Sequence, residues 1–189
     1  LSVPSIISRH RSKTDLGPGV FISLGSNLSF GGYSSQTLIS AALNRLALGG
    51  DKVIATSSLW KSDAWPKGQG APDFINAVCR IYPFDRDPER LLRRLHVIED
   101  HFGRVRDPHN RWPARTLDLD LLDYNGLISE QHSFYTLPHP RIASRDFVLL
   151  PLLEVSPHWK HPITSKDGQI LLNELIVTNQ THNCQRLAQ

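Results

Sequence analysis

The run Arg115-Thr116-Leu117-Asp118-Leu119-Asp120 sets two carboxylates two positions apart inside an apolar segment. Residues two apart in a β-strand share a face, so Asp118 and Asp120 point the same way with Cα atoms roughly 7 Å apart. Leu117, Leu119 and Leu121 then line the opposite, core-facing side. Paired carboxylates on a rigid strand suit a hard cation, which takes oxygen ligands and keeps positions for water and phosphate. The plainer alternative is a half-exposed strand whose outward residues happen to be acidic. Aspartate is depleted in strands, however, and two at i and i+2 repel unless a cation or arginine compensates. The segment Gly103 to Arg115 supplies such charge, with Arg104, Arg106, Arg111 and Arg115 and with Trp112 among them. An isolated arginine cluster is usually solvated loop charge. Feeding directly into paired aspartates, it suits phosphoryl transfer, where the protein contributes mainly alignment and neutralisation of developing charge.

Other candidates are weaker in isolation. Glu99 follows Leu95 by four positions and so falls near the buried edge of a helix, although a solvated helix-end charge fits equally. His139, in Leu137-Pro138-His139-Pro140-Arg141, and the nearby Arg145 form a polar turn able to reach phosphate or water. Phe74, Asn76 and Phe147 would ordinarily be two core aromatics and a strand-end amide. There is no Gly-x-x-x-x-Gly-Lys-Ser/Thr loop, no protein-kinase glycine loop and no dinucleotide-binding fingerprint. Any nucleotide must therefore be held by side chains and irregular loops.

The elements that must position these residues can be read in order. Val20 to Leu24 is a short β-branched and aromatic strand, followed by a Gly- and Ser-rich loop through Ser35. A helix carries Leu38, Ile39, Ala42, Leu43 and Leu46 on one face and stops at Gly49-Gly50. Lys52 to Lys61 reads as a second strand and Phe74 to Tyr82 as a third, separated by a loop with Pro66, Gly68, Gly70 and Pro72. A second helix opens with Asp87 as N-cap, Pro88 in its first turn and Glu89, then runs through Leu91, Leu92, Leu95, Ile98 and Phe102. The Asp-bearing strand spans about Thr116 to Tyr124. This βαββαβ order predicts an α+β, ferredoxin-like fold with a largely antiparallel sheet and helices on one face. C-terminal additions follow: a short helix from Phe147 to Val155 interrupted by Pro151, and an amphipathic piece from Ile170 to Val177. Residues 1–17 read as a flexible leader, 18–180 as the domain and 181–189 as a C-terminal tail.

With 189 residues, 40% hydrophobic and 21% charged, the chain suits one globular domain. No apolar run approaches the ~18 residues of a membrane span, and the first twenty residues lack a hydrophobic signal core, so a cytoplasmic protein without a membrane partner is expected. Cys79 and Cys184 have no metal-ligand spacing and are expected as reduced thiols. The net charge of +3 fits an anionic ligand but does not argue for nucleic acid.

Together these residues resemble the 6-hydroxymethyl-7,8-dihydropterin pyrophosphokinase family. The resemblance rests on Arg115 to Leu122, on Ser23-Leu24-Gly25-Ser26-Asn27, on Asp73-Phe74-Ile75-Asn76-Ala77, on Glu99 with Gly103-Arg104-Val105-Arg106, on Pro138-His139-Pro140-Arg141 and on Arg145-Asp146-Phe147-Val148-Leu149. It implies transfer of pyrophosphate from ATP to the pterin alcohol in folate synthesis. Asp118 and Asp120 would hold two magnesium ions, Asn76 would read the pterin edge, and Phe74 and Phe147 would sandwich its ring. Arg104, Arg115 and Trp112 would serve catalysis on a mobile loop, and Glu99, Arg106, Arg111, His139 and Arg145 the nucleotide. The resemblance further implies a monomer working near dihydropteroate synthase. Two stretches depart from the family's usual pattern, Ser62 to Pro72 and Asp107 to Asn110. The ferredoxin-like order is shared with RNA-recognition modules, so a single-stranded RNA binder is the alternative from another class. Its third strand should carry an aromatic stacking motif, which Asn76-Ala77-Val78-Cys79-Arg80 lacks. A metal-dependent nuclease is the third option.

Overall fold

The structure is a computed structural model, and it describes residues 19–64, 71–104, 115–131 and 133–188. Its strands are β1 (Val20–Ser26), β2 (Lys52–Thr56), β3 (Trp60–Ser62), β4 (Phe74–Tyr82), β5 (Asp118–Tyr124) and β6 (Gln185–Arg186). The helices are α1 (Ser35–Leu48), α2 (Pro88–His101), α3 (Asp146–Val155) and α4 (Gly168–Val177), with one 3₁₀ turn at Ile142–Ser144. The sheet runs β5-β1-β4-β3-β6, and β2 pairs with the other end of β4. The described pairings are antiparallel. This is the expected α+β arrangement, a ferredoxin-like core with C-terminal additions.

The single second strand expected from Lys52 to Lys61 is instead two. Ser57 and Ser58 interrupt it: the Ser57 hydroxyl accepts the Val78 N–H at 3.0 Å, and the Ser58 N–H donates to Glu154 Oε2 at 2.7 Å. Side-chain oxygens thus take backbone donors that a regular ladder would use. The break frees β3 to pair with the Phe74 end of β4, through Trp60↔Asn76 and Ser62↔Phe74.

Alternation along β1 divides the core. Ile22 and Leu24 face α1 and α2, packing with Leu38, Ile39, Leu95 and Leu119. Phe21 faces the other way, with Val78, Leu149, Leu152, Trp159 and Leu172. Helices therefore cover both faces, not one: α1 and α2 lie on the first, α3 and α4 on the second. The expected interruption at Pro151 is absent, since α3 runs unbroken through it. An interior proline costs about 3 kcal/mol, and the burial of Val148, Leu149 and Leu152 around it contributes about 1.5–3 kcal/mol per side chain.

Helix α2 begins as its sequence dictates, with Asp87 accepting the Glu89 N–H at 2.9 Å and Pro88 in the first turn. Its buried stripe, Leu91 and Leu95, ends in Glu99. Gly103 follows with φ of +72°, and a β-carbon there would overlap the Phe30 ring. Only glycine fits that backbone and that approach. Residues 181–188, set apart in the sequence as a tail, return to the sheet edge, where β6 pairs with β3. Among the described residues no helix is long and apolar enough to cross a membrane.

Candidate active site

Strand register builds the site. Gly25 pairs with Asn76 on one side and with Asp118 on the other, and Ser23 pairs with Asp120. A row therefore crosses three strands on the face opposite α1 and α2. A β-carbon at Gly25 would lie 3.6 Å from Asn76 Oδ1, 3.8 Å from Asp118 Cβ and 3.9 Å from Phe74 Cδ1. Glycine keeps this floor open where the acidic and aromatic residues meet. Above it is a cavity of about 400 Å³ lined by residues including Phe74, Asn76, Arg115, Asp118, Asp120, Arg145 and Phe147. The alternation that carries Asp118 and Asp120 then stops. A bulge leaves Leu122 unpaired between Leu121 and Asp123, and Asp123 is drawn off to accept the Trp159 indole N–H at 2.8 Å.

One end of the cavity is ionic. Asp118 is gripped through one oxygen by Arg104 and through the other by Arg115. Burial opposes its ionisation, and the Arg115 and Arg104 guanidiniums outweigh that, holding the carboxyl below the ordinary carboxylate range. Glu99, only 1% exposed, continues the apolar stripe of α2 and must be paired to be tolerated there. Its Oε1 accepts from Arg104 and from the Leu119 N–H at 2.7 Å, so it ties α2 both to that arginine and to the acidic strand. Asp120 is more open, with its side chain 32% exposed and Arg145 Nη1 3.4 Å away.

His139 Nε2 lies 3.8 Å from Asp120. Its Nδ1 accepts the Arg141 N–H at 3.1 Å, which places the neutral ring's proton on Nε2, toward Asp120. Burial pushes this imidazole below its ordinary value, with Asp120 opposing and Arg145 and Arg141 reinforcing. The turn is anchored on the bulge, where the His139 N–H donates to the Leu122 carbonyl at 2.8 Å.

The other end is aromatic and neutral. Asn76 is buried, and its amide donates to Ser62 Oγ at 2.9 Å, leaving its oxygen beside the open floor at Gly25. Phe74 belongs to neither core cluster, whereas Phe147 is half-buried and packs partly against the second. Both rings line the cavity.

The structure thus brings together Phe74, Asn76, Glu99, Arg104, Arg115, Asp118, Asp120, His139, Arg145 and Phe147. Arg106, Arg111 and Trp112, and the mobility expected of their loop, lie outside the described residues, as does the leader. Three residues given no role from sequence join the site. Asn27 accepts the Arg115 N–H at 2.6 Å through its side chain, and its own N–H donates to the Arg115 carbonyl at 3.0 Å, fixing that arginine's entry to the cavity. Ser62 orients Asn76, and His182 reaches the cavity wall from the C-terminal segment. Asn27 stood inside a motif, but Ser62 and His182 carry no local sequence signal. Both cysteines are free.

Comparison with known proteins bears on the family and the fold. Residues 21–157 match the family described as 7,8-dihydro-6-hydroxymethylpterin-pyrophosphokinase. The chain is 40% identical to a 2-amino-4-hydroxy-6-hydroxymethyldihydropteridine pyrophosphokinase from Haemophilus influenzae, over 72% of this chain and 80% of that protein. It is also 40% identical to the folic acid synthesis protein fol1 of Pneumocystis carinii over 77% of its length, spanning only 18% of that longer protein. Among solved structures it resembles the Plasmodium falciparum HPPK-DHPS crystallised with pteroate, with a TM-score of 0.64 and 15% identity, covering 85% of this chain and 42% of that one. That last likeness establishes the fold. The chain belongs to the 7,8-dihydro-6-hydroxymethylpterin-pyrophosphokinase family, whose reaction is pyrophosphate transfer to hydroxymethyldihydropterin in folate synthesis.

Proposed function

We propose that this chain transfers the β,γ-pyrophosphoryl group of ATP to 6-hydroxymethyl-7,8-dihydropterin, with the ionic end of the cavity taking the phosphates and the aromatic end the pterin. The observation that carries this reading is the row Asn76, Gly25, Asp118, which sets an amide and two rings beside a carboxylate pair across one open floor. A flat heteroaromatic ring wants apolar faces and a few fixed hydrogen bonds. Polyphosphate wants cations and guanidiniums.

The donor set fits magnesium. Asp118 and Asp120 offer hard oxygen ligands on one strand face, and among the described residues no cluster of three or more acidic, histidine or cysteine side chains forms a complete cage. Ions held there would take their remaining ligands from phosphate and water, as magnesium does in phosphoryl-transfer sites. Two bound ions would neutralise the phosphates and polarise the β-phosphorus. Phe74 and Phe147 hold the pterin by its faces, and Asn76, oriented by Ser62, reads its edge. The hydroxymethyl oxygen attacks the β-phosphorus, the bond to the α-phosphate bridging oxygen breaks, AMP leaves, and the hydroxyl proton passes to solvent. In the free chain Arg104 and Arg115 occupy both oxygens of Asp118. Phosphates entering the cavity would compete for these arginines, and Asp118 would then be able to hold a cation. Glu99 serves the nucleotide by holding Arg104, while Arg145 and His139 lie beside Asp120. Arg106, Arg111 and Trp112 complete the nucleotide and catalytic sets on the loop. The same reading takes the chain as a cytoplasmic monomer acting beside dihydropteroate synthase, in keeping with the free cysteines and with the fused HPPK-DHPS relatives.

Incubation with ATP, magnesium and the pterin alcohol should yield equal amounts of AMP and pterin pyrophosphate. Formation of ADP, or no nucleotide consumption by folded protein, would refute the assignment.

A further inference from the structure

His182 lies beyond the stretch that matches the family, residues 21–157, yet it lines the cavity. Its contacts reach two separate pieces of the chain, the first turn of α3 and the residue after β3. The backbone N–H donates to Asp146 Oδ2 at 2.8 Å, and ring Nδ1 meets Asp146 Oδ1 at 2.5 Å. The carbonyl accepts the Asp63 N–H at 2.9 Å, just past the end of β3. The imidazole also stands edge-on to Phe147, with ring centroids 4.9 Å apart and planes at 89°.

Asp146 makes this more than a surface contact. Its side chain is 3% exposed at the first turn of α3, and it also accepts the Phe147 N–H at 2.9 Å. A carboxylate so enclosed requires donors, and two of them come from one residue of the C-terminal segment. The same residue then touches the ring that follows Asp146 in sequence. Asp63 falls in the stretch Ser62 to Pro72, which departs from the family's usual sequence, and its backbone is fastened to His182.

We propose that His182 is a positioning residue for the pterin half of the site: by clasping Asp146 to the end of β3, it sets the orientation of the Phe147 ring and the width of the slot the pterin enters. This rests on the assignment of Phe74, Asn76 and Phe147 to the pterin. The side chain's own share of the clasp is the imidazole N–H to Asp146 and the ring edge against Phe147. Arg145 reaches the same ring, 5.6 Å from its centroid, whereas Arg104 and Arg115 grip Asp118 on β5. Replacing the ring removes one donor to Asp146 and leaves the two backbone donors in place, so the variants retain the means to fold.

The test compares H182A, H182F and H182N in the full chain, measuring KM for the pterin alcohol, kcat, and the Kd of a non-hydrolysable ATP analogue with magnesium. H182A should raise the pterin KM about tenfold with a smaller fall in kcat and an ATP-analogue Kd within about twofold of wild type. H182F, which keeps an aromatic edge but has no donor, should behave like H182A, and its data carry the test if H182A does not fold. H182N, whose amide can donate to Asp146, should recover most of the pterin affinity. Wild-type pterin KM in H182A or H182F, or equal weakening of pterin and nucleotide in both, overturns the clasp alone. A wild-type chain that forms no AMP overturns the site assignment itself and the clasp with it.

Discussion

At the Asp118 end of the cavity the contacts are ionic: two guanidiniums grip one carboxylate, and a third stands 3.4 Å from the next. At the Phe74 end they are neutral, an amide donating to a serine hydroxyl at 2.9 Å beside two rings that line open space. Both ends share the sheet and the floor at Gly25, but they respond differently to damage. Removing one partner from a buried ion pair leaves an uncompensated charge and is felt as a step. Trimming an aromatic wall removes contact area by degrees. The phosphate end should therefore fail steeply in catalysis, and the pterin end gradually in affinity.

The largest expected effect tests the ionic end. Asp118→Ala or Asp120→Ala should lower magnesium-dependent turnover by about 10³-fold or more while circular dichroism stays native. Substantial activity in either folded variant would remove the cation from that strand. Next come Arg104→Ala and Arg115→Ala, which should cost about 10²-fold in kcat and far less in ATP affinity, because their work falls on the transferring group. A loss confined to ATP binding would make them static binding residues and blur the contrast between the two ends.

Graded loss is the mark of the aromatic end. Phe74→Leu and Phe147→Leu should each weaken pterin binding by about 1 kcal/mol, measured by calorimetry, with most of the volume kept. Phe147→Leu should also lower the melting temperature more than Phe74→Leu, since only Phe147 packs against a core cluster. Unchanged affinity with a large drop in melting temperature would return both rings to the core.

The smallest effect concerns acid. Burial opposes ionisation of Asp146, and hydrogen bonds from His182 outweigh it, so the carboxyl sits below its ordinary value. A folded-state value below the unfolded one stabilises the fold above the ordinary carboxylate range, and that stability is lost as pH falls through the lowered value. Denaturant titrations between about pH 5 and pH 2 should show a shallower acid decline in Asp146→Asn than in wild type. Parallel curves would mean that Asp146 gains nothing from its donors.

How far these contrasts could be foreseen depended on the range of the interaction. Asp118 and Asp120 opposite Leu117, Leu119 and Leu121 follow from a period of two along one strand. The start of α2 follows from Asp87 and Pro88, because a cap is made by neighbours in sequence. The family motif, too, is a run of consecutive residues. Against this, the break between β2 and β3 needed Glu154 and Val78 to meet two serines, and the continuity of α3 through Pro151 needed a core to pack against it. Nor could a local pattern give the bulge after Leu121 or the meeting of Asp123 with Trp159, 36 positions away.

What the sequence by itself determined was therefore local: the helix caps, the alternation that aims two aspartates together, the glycine stops and the motif that names the family. Tertiary structure alone decided that Asn76, Gly25 and Asp118 form one row, that helices cover both faces of the sheet, and that His182 comes back to Asp146 across 36 positions. The reason is physical. Periodicity and capping depend on residues within a few positions of one another, whereas strand register and buried hydrogen bonds are settled by which distant groups the folded chain brings within bonding distance.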